Sequence, residues 1–117
     1  MTKVGEHITL DILGTQGEQK PEFFEKLVYK IAKKAKVTVL EISKHKFEPQ
    51  GFTLVALLAE SHISFHTFPE KGIISFDFFT CGKINPIVAL DIVKKEIKHK
   101  KIVKKEFNRD NIIYYDD

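Results

Sequence analysis

Ser61 follows Glu60 directly, His62 and His66 come soon after it, and the only cysteine, Cys81, lies further on in Phe79-Thr80-Cys81-Gly82. A hydroxyl, two imidazoles and a thiol in one stretch suit covalent chemistry, since imidazole moves protons near neutral pH while serine and cysteine attack carbonyl carbon. A thiol hydrolase would pair Cys81 with His62 or His66, but no hydrolase motif surrounds Cys81. A metal site built from His62, His66 and Cys81 would be easiest with both histidines on one helical turn. Ala59 to Glu70 reads as extended or turned, so no metal is expected there. Each residue also has a plainer role available: a turn hydroxyl for Ser61, a sheet-surface ring for His66, a small buried hydrophobe for Cys81.

The elements that would position these groups follow from hydropathy spacing. Ile8, Leu10 and Ile12 alternate with polar residues, predicting a half-buried strand over His7 to Leu13 that ends at Gly14. After a loop, Pro21 suits a first helical turn, and Phe23, Phe24, Leu27, Val28, Ile31, Ala32 and Ala35 recur at three- and four-residue spacing as one apolar stripe. Val37–Lys44, Phe52–Leu58 and Ile73–Thr80 read as strands, with a turn over Phe47–Gly51. Asn85-Pro86 starts a second helix with Leu90, Val93 and Ile97 facing the core. Ile102–Phe107 returns as a strand, and residues 108–117 read as an edge strand or a docked tail. The order predicts an α+β fold: a two-layer sandwich of a mainly antiparallel sheet with two helices on one face.

With 117 residues, 43% of them hydrophobic, the chain has material for one core, so residues 1–117 are read as a single domain. The longest apolar run, Leu54 to Ala59, is far short of the roughly 20 residues of a membrane span. No secretory signal pattern is found, and a single cysteine cannot form an intrachain disulfide; both fit a soluble protein of a reducing cytoplasm. The net charge of +3 comes mostly from lysines between Lys94 and Lys105, interspersed with apolar residues and lacking aromatic platforms, which reads as a solvated face and not a nucleic-acid site.

The motif Ala-Glu-Ser-His-x-x-x-His-Thr-x-Pro-Glu over Ala59–Glu70, with Phe-Thr-Cys-Gly downstream, resembles the processing and active-site segments of the prokaryotic S-adenosylmethionine decarboxylase proenzymes. The likeness runs from about Gly5 to beyond Pro86 and is closest over Phe47–Gly51 and Ala59–Gly82. That family makes a pyruvoyl cofactor by cutting its own chain at a Glu-Ser bond. The resemblance implies cleavage between Glu60 and Ser61 into 1–60 and 61–117, with Ser61 becoming a pyruvoyl group that forms a Schiff base with substrate, and no PLP or metal. It further implies that His66 takes the Ser61 α-proton, that Cys81 returns a proton to the product, and that Thr53 assists processing where serine is more familiar. His62 also matches, without an assigned step. Phe47 and Phe68 correspond to aromatic residues that stack adenine, and Glu70 to a carboxylate that binds ribose hydroxyls, although many relatives have tryptophan where Phe68 stands.

The expected activity is decarboxylation of S-adenosylmethionine, giving an aminopropyl donor for spermidine and other polyamines, by a homodimer whose site is shared across the interface. The same Ser61, His66 and Cys81 would also serve decarboxylation of a basic amino acid such as arginine or ornithine. A non-catalytic binding module is a third reading, which an uncut chain would favour.

Overall fold

The computed structural model describes residues 5–17, 19–81 and 84–109. Its elements are β1 (Gly5–Leu13), α1 (Pro21–Ala35), β2 (Val39–Lys46), β3 (Phe52–Leu58), β4 (Ser61–Phe68), a 3-10 turn over Pro69–Lys71, β5 (Ile73–Cys81), α2 (Val88–Glu96) and β6 (Lys101–Asn108). The strands form one sheet in the order β2-β3-β4-β5-β1-β6, and every neighbouring pair is antiparallel. The expected two-layer α+β sandwich is therefore what forms.

Alternation along the strands divides the sheet into two unlike faces. Ile8, Leu10 and Ile12 of β1, Leu54 and Ala56 of β3, Ile63 and Phe65 of β4, and Phe76 and Phe78 of β5 are all buried beneath the helices. The apolar stripe of α1 buries Phe24, Leu27, Val28, Ile31, Ala32 and Ala35 against them, and α2 adds Ala89 and Val93. Phe24 is the centre of this layer, its ring 5.1 Å from Phe52 and 5.0 Å from Phe65. Truncating a buried phenylalanine of this kind costs about 3–5 kcal/mol. Lys30 Nζ donates to Glu96 Oε1 at 2.7 Å, tying α1 to α2 and holding the Glu96 carboxyl below its usual range.

Several boundaries differ from the sequence reading. α1 ends in a left-handed Lys36, and the next amide, Val37 N, donates to Ala32 O at 2.9 Å, so β2 begins at Val39 rather than Val37. Asn85 Oδ1 accepts from Ile87 N at 3.0 Å, capping a turn that leads into α2, whose first helical residue is Val88. Ala59–Glu70 holds a full strand, β4, at the heart of the sheet. Of the tail, Asn108 closes β6, while residues 110–117 lie outside the described residues, as does Gly82.

Among the described residues, the second sheet face carries no helix. It presents His7, Thr9 and Asp11 from β1, Thr53, Val55 and Leu57 from β3, the even residues 62–68 from β4, and the odd residues 73–81 from β5. Val55 and Leu57 are 42% and 51% exposed, although they sit on an inner strand.

Candidate active site

The candidate residues occupy two ends of this open sheet. At one end, β3 and β4 are joined by a two-residue turn, Ala59-Glu60, closed by the pair Leu58 and Ser61. Ala59 N donates to Thr38 O at 2.9 Å, anchoring the turn to the lead-in of β2. Glu60 has φ +62°, a left-handed conformation that costs a residue with a side chain roughly 1–2 kcal/mol. Strain is therefore stored on the residue that contributes the carbonyl of the Glu60-Ser61 bond.

Ser61 itself is only 6% exposed and points to the helix-covered side, as Ile63 and Phe65 do. Its Oγ is the one buried side-chain polar atom without a hydrogen-bond partner among the described residues. Such a group costs about 1–3 kcal/mol in a stable fold. Thr80, paired with Ser61 across β4 and β5, has its own hydroxyl committed to Ile84 O at 2.6 Å. Cys81 follows Thr80, half-buried and a free thiol, opposite Gly5 on β1. A side chain at Gly5 would put its Cβ 2.3 Å from Thr80 O, so glycine is what lets β1 lie against this corner.

At the other end, Thr53 and His66 face one another across β3 and β4, with Thr53 Oγ1 and His66 Nδ1 3.0 Å apart. Phe68 ends β4 and Glu70 lies exposed in the following 3-10 turn. Phe47 leaves β2 into a loop closed by Phe47 N donating to Gly51 O at 2.8 Å; Gly51, at φ +91°, makes a turn that a side chain would strain. Both aromatics are accessible, Phe47 at 49% and Phe68 at 38%. Phe47 packs on His45 at 4.9 Å, and Lys71 Nζ lies 5.8 Å above the Phe68 ring.

Ser61 and Cys81 lie at one end of the sheet on adjacent strands, Ser61 facing the helices and Cys81 the uncovered side; His66 meets Thr53 at the other end, and the two ends are not brought together within one chain. Five residues of extended strand separate Ser61 from His66 by about 17 Å, and the odd spacing sets them on opposite faces. His62 and His66 do share a face, because even spacings repeat on a strand. Yet about 13 Å of β4 lies between them, so they share no metal.

Between the two ends stands a cluster that the sequence reading did not identify. His7, His62 and Ser64 gather around Asp77, with His7 Nε2 2.6 Å and His62 Nε2 3.3 Å from Asp77 Oδ2, and Ser64 Oγ donating to Oδ1. The signal available was polar residues at the open-face positions of strands whose other face is mostly apolar.

A six-stranded antiparallel sheet with two helices on one face, and a hairpin whose buried serine hydroxyl has no partner among the described residues, define a two-layer α+β class of protein. The model of the S-adenosylmethionine decarboxylase family matches residues 6–110, and the chain belongs to that family. Relatives named S-adenosylmethionine decarboxylase proenzyme include those of Clostridium kluyveri, 38% identical over 93% of this chain and 89% of the relative, and Brevibacillus brevis, 36% identical over 90% and 81%. One from Methanococcus maripaludis is 38% identical over 87% and 86%. The crystal structure of the adenosylmethionine decarboxylase from Aquifex aeolicus matches with a TM-score of 0.82 and 31% identity, covering 100% of this chain and 98% of that one.

Proposed function

We propose that the chain is a self-processing, pyruvoyl-dependent decarboxylase of S-adenosylmethionine, supplying the aminopropyl donor of polyamine synthesis in the cytoplasm. Its relatives carry that substrate in their names, and the basic-amino-acid alternative finds no support among them. The observation that carries the processing half is Ser61: a buried, unpartnered Oγ next to the strained Glu60.

Processing follows from that placement. Ser61 Oγ attacks the Glu60 carbonyl carbon, the C–N bond breaks, and the nitrogen takes a proton, giving an ester. Removal of the Ser61 α-proton then expels the Glu60 carboxylate, leaving dehydroalanine, which one water converts to a ketone with loss of ammonia. The products are residues 1–60 and 61–117, held together by the shared sheet. The new carbonyl supplies an electron sink that no ordinary side chain provides.

His66 is the base for the α-proton and Thr53 orients its ring through the 3.0 Å contact. About 17 Å of β4 separates His66 from Ser61 of the same chain, so the His66 that serves Ser61 comes from a second copy. Val55, Leu57 and Phe107 supply apolar contact for stacking two open faces into a homodimer. Each site then holds Glu60, Ser61 and Cys81 of one chain and Thr53, His66, Phe47, Phe68 and Glu70 of the other. Phe47 and Phe68 offer flat surfaces to adenine, Glu70 accepts from ribose hydroxyls, and Cys81 protonates the product α-carbon.

Carbon dioxide release from carboxyl-labelled S-adenosylmethionine, arginine and ornithine tests the assignment. Release from S-adenosylmethionine alone is expected. Release from arginine or ornithine instead would retain the machinery and overturn the substrate.

A further inference from the structure

His7, His62 and Asp77 come from three adjacent strands, β1, β4 and β5, and meet on the open face with their donor atoms all within 4.8 Å of one another. We infer that they form a site for a divalent transition-metal ion of the zinc type, held by His7 Nε2, His62 Nε2 and Asp77 Oδ2.

Zinc binds imidazole nitrogen and carboxylate oxygen at about 2.0–2.2 Å in a tetrahedral array, which sets the donor atoms about 3.4 Å apart. His62 Nε2 and Asp77 Oδ2, at 3.3 Å, already have that separation. His7 Nε2 and Asp77 Oδ2 are 2.6 Å apart and must open by about 0.8 Å, a small rotation about side-chain torsions. The mixture of two imidazoles and one carboxylate is what zinc and its first-row neighbours take, whereas calcium and magnesium prefer oxygen.

The surroundings fit this use. Ser64 Oγ donates to Asp77 Oδ1, the outer hydrogen bond that orients a carboxylate ligand and leaves Oδ2 turned to the imidazoles. Phe79 stacks on His62 at 5.7 Å and meets the His7 ring edge-on at 5.7 Å, fixing both ring planes.

One group opposes the ion. Arg109 lies over Phe79 with its guanidinium carbon 5.4 Å from the ring centroid, and its Nη1 is 3.5 Å from His7 Nδ1. A metal on His7 Nε2 puts the ring proton on Nδ1, facing a guanidinium N–H, so Arg109 opposes the ion by its charge and must turn away from that nitrogen. The site lies within one chain and uses none of Ser61, Cys81 and His66 as ligands, although His62 follows Ser61 directly. It stands whether or not the pyruvoyl reading does, and it departs from the expectation that the chain holds no metal. An ion here would pin β1, β4 and β5 together beside the processing hairpin.

Isothermal titration of the purified chain with Zn²⁺ tests the assignment. The result expected is one ion per chain, bound at least about tenfold more weakly by Asp77→Asn and by His62→Ala, both retaining the far-ultraviolet circular dichroism of the parent. Absence of saturable binding by the parent chain, or undiminished binding in either variant, would overturn it. Should either variant fail to fold, His7→Gln replaces it under the same criterion.

Discussion

Ser61 and His66 share strand β4, yet one faces the helices and the other faces the uncovered side of the sheet. Two residues expected to act on the same α-proton are thereby held about 17 Å apart within a chain. The consequence is testable by mixing lesions. Co-expressed Ser61→Ala and His66→Ala chains should form heterodimers in which, on the proposed reading, the second chain keeps its serine and receives His66 from the first. Cleavage is expected, and only of the His66→Ala chain. If neither chain is cut while each variant is folded and dimeric, the two residues act within one copy.

His66 is placed at elimination, after the acyl shift. A His66→Ala homodimer should therefore accumulate the Glu60-Ser61 ester, which hydroxylamine cleaves at neutral pH while sparing ordinary peptide bonds. Mass spectrometry would find a hydroxamate on Glu60. A variant that stays whole in hydroxylamine places His66 before the ester or outside processing.

Glu60 pays for its left-handed backbone only while the chain is intact. In a Ser61→Ala background, which keeps the bond uncut, Glu60→Gly should raise stability by up to about 1 kcal/mol, seen as a melting temperature several degrees higher. A lower melting temperature would mean that the Glu60 side chain makes contacts worth more than the strain.

Cys81 is assigned the proton that finishes turnover. A Cys81→Ala chain that has been cut should consume substrate slowly and lose activity as it does so, because the substrate-derived carbanion is then protonated on the wrong carbon. The residue at position 61 would change from ketone to amine, leaving alanine at the head of the second fragment. Turnover at the parent rate with position 61 unchanged would reduce Cys81 to a packing residue.

Much of this fold was legible because its periods are local. The stripe from Phe23 to Ala35 repeats at helical spacing, and all of it but Phe23 is buried; Ile8, Leu10 and Ile12 alternate and are buried together. β4 was harder to read, since its apolar Ile63 and Phe65 are interleaved with His62, Ser64 and His66, polar residues that alternate as an exposed face does. Once β4 is recognised as a strand, the odd spacing of Ser61 and His66 already implies opposite faces. The His7, His62 and Asp77 cluster was not legible, because it joins residues 70 and 15 positions apart through the register of β1, β4 and β5. Element boundaries moved by about two residues where the backbone had its own use for an amide, as at Val37 ahead of β2.

On the proposed reading this chain cuts itself between Glu60 and Ser61, which the intact mass of the purified protein would register. Two species are expected, residues 1–60 with an unmodified carboxyl end and residues 61–117 beginning with a pyruvoyl group that blocks Edman sequencing. Together they should weigh as much as the full chain plus one water less one ammonia, and Ser61→Ala should give a single full-length mass. A parent protein that remains one uncut chain after prolonged incubation would contradict the account.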